Sequence, residues 1–340
     1  MPRYAKDTTL ILHIGLHKTA TSYIQNVLST RRIDLLSEGI LYPTTGAVDN
    51  VVLSTRPGAQ SGHAEFFWAE DRRELMAQLL NERPDAAGTV LLSSEDFSLP
   101  RRRVHTERFL RDFAAFGTIK VVLVLRRQDA WLESYYKQFV DQYGNFETRS
   151  FDEFLRHAGP NLIDFHTRFS PWRELVGPEN FHALSYDDLP GGAAICRRIL
   201  EIAGVSGSLL DVGASTDTPV YESVRAIDTL GLRILNSYRL GDRDLRTRLA
   251  RSIYRAAPEG DIELMTPDMR KGIQEVCAPI NERIEAEWFS VPVPGLRFAS
   301  LLGGTTTTSP TGPEVVDYVD QVISLCEAAR KSANDGGSTP

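Results

Sequence analysis

Short apolar runs rich in β-branched residues punctuate the first part of the chain, at 9–14, 89–93 (Thr-Val-Leu-Leu-Ser) and 119–125 (Ile-Lys-Val-Val-Leu-Val-Leu). They are continuous runs, not alternations of apolar and polar residues, which predicts strands buried on both faces of a parallel sheet. Helical periodicity separates them, at about 70–82 and 104–116, and a helix also follows the first run, with Ile24, Val27 and Leu28 on one face. Strand, helix, strand, helix, strand implies right-handed crossovers and an α/β fold, a central parallel sheet flanked by helices. Helices are expected at 128–143, 151–157 and 162–175, then a fourth strand at 181–185 (Phe-His-Ala-Leu-Ser).

The second half reads as largely helical, with segments near 191–203, 219–237, 242–256 and 267–287. Thr266-Pro267-Asp268 sets a hydroxyl cap before a proline at the first helical position. The expected organisation is one domain over 8–300, with a core at 8–205 and a helical part at 206–300. A Gly/Thr/Pro-rich linker follows at 301–313. After it come an amphipathic helix at 314–331, carried by Val315, Val316, Val319, Val322, Ile323 and Leu325, and a disordered polar tail at 332–340.

At 340 residues the length fits one large α/β domain or two small ones. The net charge is −7 with both signs interspersed, so the footprint of a nucleic-acid binder is missing. Cys196, Cys277 and Cys326 are odd in number and far apart, which points to a reducing compartment and offers no metal-ligand spacing. The N-terminus is polar up to the first strand and no apolar run reaches the length of a membrane span. These features predict a soluble cytoplasmic protein.

The chemistry concentrates at residues 10–28, where an apolar strand meets the Gly15 turn, then His17, Lys18, Thr19, Ala20, Thr21 and Ser22, then a helix. Amides at a helix start form an anion site, and a lysine adds a point charge for phosphate. Walker A requires Gly-Lys, whereas Lys18 follows His17, so the loop differs from that of the nucleoside triphosphatases. Strand 119–125 ends in Arg126-Arg127, with Ser134 about two helical turns further on. Strand 181–185 runs into Tyr186-Asp187-Asp188. Ligands of open α/β sheets bind at such strand ends, so the three segments share one edge.

Two of these segments resemble the sulfotransferases that use 3′-phosphoadenosine-5′-phosphosulfate (PAPS). Residues 13–19, His-Ile-Gly-Leu-His-Lys-Thr, resemble the 5′-phosphosulfate loop of the bacterial members, with Ala20 where the family has glycine. Residues 124–136, from Val124 to Tyr136, resemble the segment whose arginine and serine hold the 3′-phosphate, here Arg126 and Ser134. Tyr186 matches a tyrosine that lies near the adenine. The resemblance covers about 8–205. It implies a P-loop-like fold and transfer of a sulfuryl group from PAPS to a hydroxyl, less readily an amine, of a saccharide, lipid or small molecule, with PAP as product and no metal.

It further implies that His17 to Ser22, Arg126, Ser134 and Tyr186 bind the co-substrate and that Lys18 is catalytic. Arg270-Lys271-Gly272 resembles a loop of soluble members but falls inside a predicted helix, and is read as coincidence. Transfer also needs a base. The family has a histidine at the second strand end or, in other branches, a carboxylate in the pocket, and here Glu95 holds that end with His63 as rival. His13 reads as core. The run Arg101-Arg102-Arg103 suits either a solvated face or an anionic acceptor. A P-loop kinase, with Asp96 as metal-binding carboxylate, and a non-catalytic nucleotide binder are the alternatives.

Overall fold

In the computed structural model of the protein, which describes residues 5–48, 62–189, 191–211, 224–289 and 310–335, five strands build a fully parallel sheet. They are β1 (Ala5–His13), β2 (Ile40–Leu41), β3 (Thr89–Ser93), β4 (Phe116–Leu125) and β5 (Phe181–Ser185), in the order β2-β3-β1-β4-β5. Helices α1 (Thr21–Thr30), α2 (Arg32–Ser37), α3 (Glu65–Trp68), α4 (Arg73–Glu82) and α5 (Arg103–Asp112) fall before β4. Between β4 and β5 come α6 (Gln128–Asp141), α7 (Phe151–Ile163) and α8 (Phe165–Val176). After the sheet follow α9 (Gly191–Ile202), α10 (Ala226–Ser237), α11 (Arg243–Ala256), α12 (Pro267–Trp288) and α13 (Gly312–Asp335).

The unalternating apolar runs have a direct cause. Leu10, Leu12, Val121, Leu123 and Leu125 join a core on one face of the sheet, while Ile11, Leu91, Val122 and Val124 join another. Both faces are covered, so every strand position is best filled by an apolar side chain. The second face is closed by Ile24, Val27 and Leu28 of α1 and Ile195, Ile199 and Leu200 of α9. The first is closed by α4, α5, α6 and α8, with Trp131, Phe165, Phe169 and Trp172 deep inside it. Each large side chain buried there is worth about 1.5–3 kcal/mol.

The helical second half continues this core. Helix α10 packs against α6, α11 and α13, and α12 against α6 and α8, so one apolar cluster runs from Leu12 to Val322. The expected 301–313 linker lies outside the described residues up to 309, as do 219–223 of an expected helix and 336–340 of the tail. All three cysteines are buried thiols. No described helix is long and apolar enough to cross a membrane.

Central β1 has β3 on one side and β4 on the other, with His13 opposite both Ser93 and Val122. The chain order reverses there, which opens a crevice at the carboxyl ends of the strands. The Lys18 loop, Glu95, Arg126 and Tyr186 all leave the sheet at that edge.

Candidate active site

The loop between β1 and α1 is tightly wound. A Cβ on Gly15 would meet His13 Nε2 at 2.6 Å and Thr21 Oγ1 at 3.2 Å, so this turn requires glycine. Lys18 and Ala20 adopt left-handed backbone, with φ of 64° and 61°. That conformation costs about 1 kcal/mol or more for a residue with a Cβ. Such strain is characteristic of functional loops. Ala20 is also the N-cap of α1 and offers no side-chain cap to the first turn, leaving that end to the loop backbone. The Thr19 and Thr21 hydroxyls both donate to the Leu16 carbonyl, at 2.6 and 3.3 Å. Of the three hydroxyl residues, Ser22 is the half-buried one and the two threonines are buried.

Arg126 closes the loop from the β4 side. Its Nη1 donates to the Lys18 carbonyl at 3.3 Å and to Ser134 Oγ at 3.4 Å. Its guanidinium sits 4.9 Å from the centre of the Tyr186 ring. Both hydrogen bonds are long, and Nε is buried with no partner among the described residues. No carboxylate pairs with Arg126 there, whereas the adjacent Arg127 is engaged by Asp129 at 2.6 Å and by Asp187 at its amide. Unsatisfied, desolvated guanidinium donors fit an oxyanion. Arg270, on α12, is bound to Asp129 and Glu133, away from any such role.

Glu95 stands at the end of β3 and opens the short turn Asp96–Ser98. Burial pushes its carboxyl up to about 7, against the opposing pull of the Lys18 charge and a hydrogen bond from Gln138. His17 presents Nε2 to Glu95 Oε1 at 3.8 Å and to Asp96 Oδ1 at 3.9 Å. Burial pulls this imidazole's pKa down to about 4, against the Asp96 charge and with the help of the Arg168 and Lys18 charges. Asp96 accepts the indole N–H of Trp68 at 2.8 Å. The His17 side chain thus lies against the carboxylates. Among the described residues no group of three or more His, Cys, Asp or Glu is placed to hold a metal ion.

His63 has both ring nitrogens committed. Nδ1 accepts the Ser93 amide at 3.0 Å and Nε2 donates to the Pro43 carbonyl at 3.0 Å, in a fully buried position. A ring so occupied cannot take an acceptor's proton. His63→Ala is expected to cost about 1–3 kcal/mol in urea unfolding, because the Ser93 amide loses its partner, and to spare ligand binding. An unchanged stability would contradict this structural role. His13 is buried as read from the sequence, with Nδ1 2.8 Å from Ser93 Oγ.

One face of α6 escaped the sequence reading. Trp131 donates to the His17 carbonyl at 2.9 Å, Tyr135 meets the His17 ring edge-on at 5.5 Å, and Gln138 bonds Glu95. With Ser134 they occupy positions i, i+3, i+4 and i+7 of one helical stripe, so Ser134 itself carried the signal. Arg168 from α8, stacked 5.5 Å from the Trp131 ring and donating to the Ser98 carbonyl, was also missed.

No family model and no curated protein matches the chain. Among solved structures it is similar to a sulfotransferase from Alicyclobacillus acidocaldarius, at 15% identity and a TM-score of 0.45, covering 81% of this chain and 94% of that one.

Proposed function

We propose that this chain is a PAPS-dependent sulfotransferase that moves the sulfuryl group to a hydroxyl of a saccharide, lipid or small-molecule acceptor. The observation that carries the reading is the meeting at Arg126 of three segments far apart in sequence: the Lys18 loop, Ser134 and Tyr186. The orphaned Arg126 Nε and the uncapped start of α1 provide two anion sites on one edge, as a nucleotide phosphorylated at both 3′ and 5′ positions requires.

In this reading the acceptor oxygen bonds to sulfur as the bond from sulfur to the 5′-phosphate oxygen breaks. Lys18 neutralises the charge that grows on that oxygen, and Glu95 takes the acceptor's proton. Gln138 holds Glu95 by a hydrogen bond, and the His17 ring lies beside it. The ends of β1 and β3 carry Lys18, His17 and Glu95, and helix α6 carries Gln138, so rigid elements hold the reacting groups in line.

The test is ligand choice. PAP is expected to raise the melting temperature without added metal, because a ligand that binds only the native state stabilises it, and ATP with Mg²⁺ is expected to do little. Equal stabilisation by Mg²⁺-ATP would overturn the reading in favour of a kinase.

A further inference from the structure

Three consecutive arginines, Arg101 to Arg103, follow the Glu95 turn, and the fold treats them differently. Arg103 is exposed and engaged by Glu107 and Glu174. Arg102 is exposed at the start of α5. Arg101 is drawn in. Its guanidinium lies 4.1 Å from the centre of the Phe67 ring and 5.2 Å from that of Phe109.

Among the described residues Arg101 has no carboxylate and no hydrogen-bond acceptor. Its aromatic contacts stabilise a cation but satisfy none of its five N–H donors. The charge that acts on it, Arg72, is also a cation and is already balanced by Asp112 at 2.9 Å. Burial and that neighbour pull its pKa down to about 10, so it stays charged in an environment that disfavours the charge.

The position of this unmatched cation matters. Phe67 packs its ring 4.7 Å from that of Trp68, and Trp68 is tied through its indole N–H to Asp96, beside Glu95 and His17. Trp68 is 64% exposed, an unusual exposure for an indole whose orientation is fixed by a hydrogen bond. A chain of contacts therefore runs from the carboxylates through the exposed indole and Phe67 to the lone guanidinium. A ligand matching it has a hydroxyl at one end, a face that stacks on an indole in the middle and a negative charge at the other end. One unbalanced positive charge matches one negative charge, and the planar fork suits a carboxylate.

We propose that Arg101, seated on Phe67, binds a carboxylate of the acceptor, so that the acceptor is a hydroxylated acid whose body lies on Trp68. Calling the ligand an acceptor rests on the sulfotransferase reading; the anion site itself does not.

The test is calorimetric titration, with and without PAP, of p-nitrophenyl β-D-glucuronide and p-nitrophenyl β-D-glucoside, which differ by a carboxylate in place of a hydroxymethyl group. The glucuronide is expected to bind roughly tenfold tighter or more. Arg101→Gln should erase that preference, Arg101→Lys should keep part of it, and PAP affinity should stay within about twofold in both. Equal binding of the two glycosides, no binding of the glucuronide at millimolar concentration, or a preference that survives Arg101→Gln overturns the proposal. A preference that depends on Arg101 in a protein that ignores PAP retains the anion site and removes the sulfotransferase reading. PAP binding without a preference does the reverse.

Discussion

Glu95→Gln is expected to lower turnover of PAPS by ~10²–10⁴, the usual contribution of a general base, while PAP affinity stays within about twofold. The substitution keeps the shape of the side chain and its contact with Gln138 but removes the lone pair that would take the proton. Because burial raises the Glu95 carboxyl to about 7, the basic form is lost as pH falls through that value. The wild-type rate should therefore rise with pH and level off above about 7, and the residual rate of the variant should lose that step.

The same shift has an opposite sign for stability. A carboxyl whose pKa is higher folded than unfolded binds its proton more tightly in the native state, so its contribution is present at low pH and disappears as pH rises through about 7. Glu95→Gln should accordingly be more stable than the wild type at pH 8, where the buried charge of Glu95 is fully formed. A variant that is inactive and also less stable at that pH would indicate a structural carboxylate and remove Glu95 as the base.

Much of the sheet was legible because its signal is local. Strands at 89–93 and 181–185 fall at the expected limits, since each is an apolar run bounded by turn residues. Strand β4 starts earlier than expected, at Phe116, where β1 passes so close that a Cβ on Gly117 would sit 1.7 Å from the Lys6 carbonyl oxygen. The helix expected at 104–116 stops at Asp112, and Phe109, Phe113 and Phe116 pack their rings together across the turn that follows. Helix α7 continues through Pro160 to Ile163, because Leu162 and Ile163 are buried in the core. Strand β2, at two residues, is too short for any periodicity.

In the site, Lys18, Arg126 and Tyr186 were readable for the same reason: each sits at a strand end beside its own motif. The meeting of His17 with Glu95 and Asp96, and the part of Trp68 in it, was not: pairing of β1 with β3 brings the first three together, and Trp68 joins them from α3. Arg101 illustrates the limit most clearly, since nothing in an arginine triplet tells which member settles on an aromatic ring without a counter-charge.

Arg126→Ala is expected to weaken PAP by roughly ten- to a hundredfold, or ~1.5–3 kcal/mol for a charged hydrogen bond, while adenosine 5′-phosphosulfate, which lacks the 3′-phosphate, is little affected. The contrast follows from the way Arg126 is held. Its two bonds to Lys18 and Ser134 are long, its Nε has no partner among the described residues, and the Tyr186 ring covers one face. A bound oxyanion would satisfy donors that the protein leaves poorly satisfied, so most of the affinity should go with the guanidinium. Arg126→Lys should recover little, because an ammonium cannot present a planar pair of donors. Ser134→Ala should show the same contrast between the two nucleotides with a smaller loss. If both nucleotides weaken equally, Arg126 serves the loop through the Lys18 carbonyl and not a phosphate of its own.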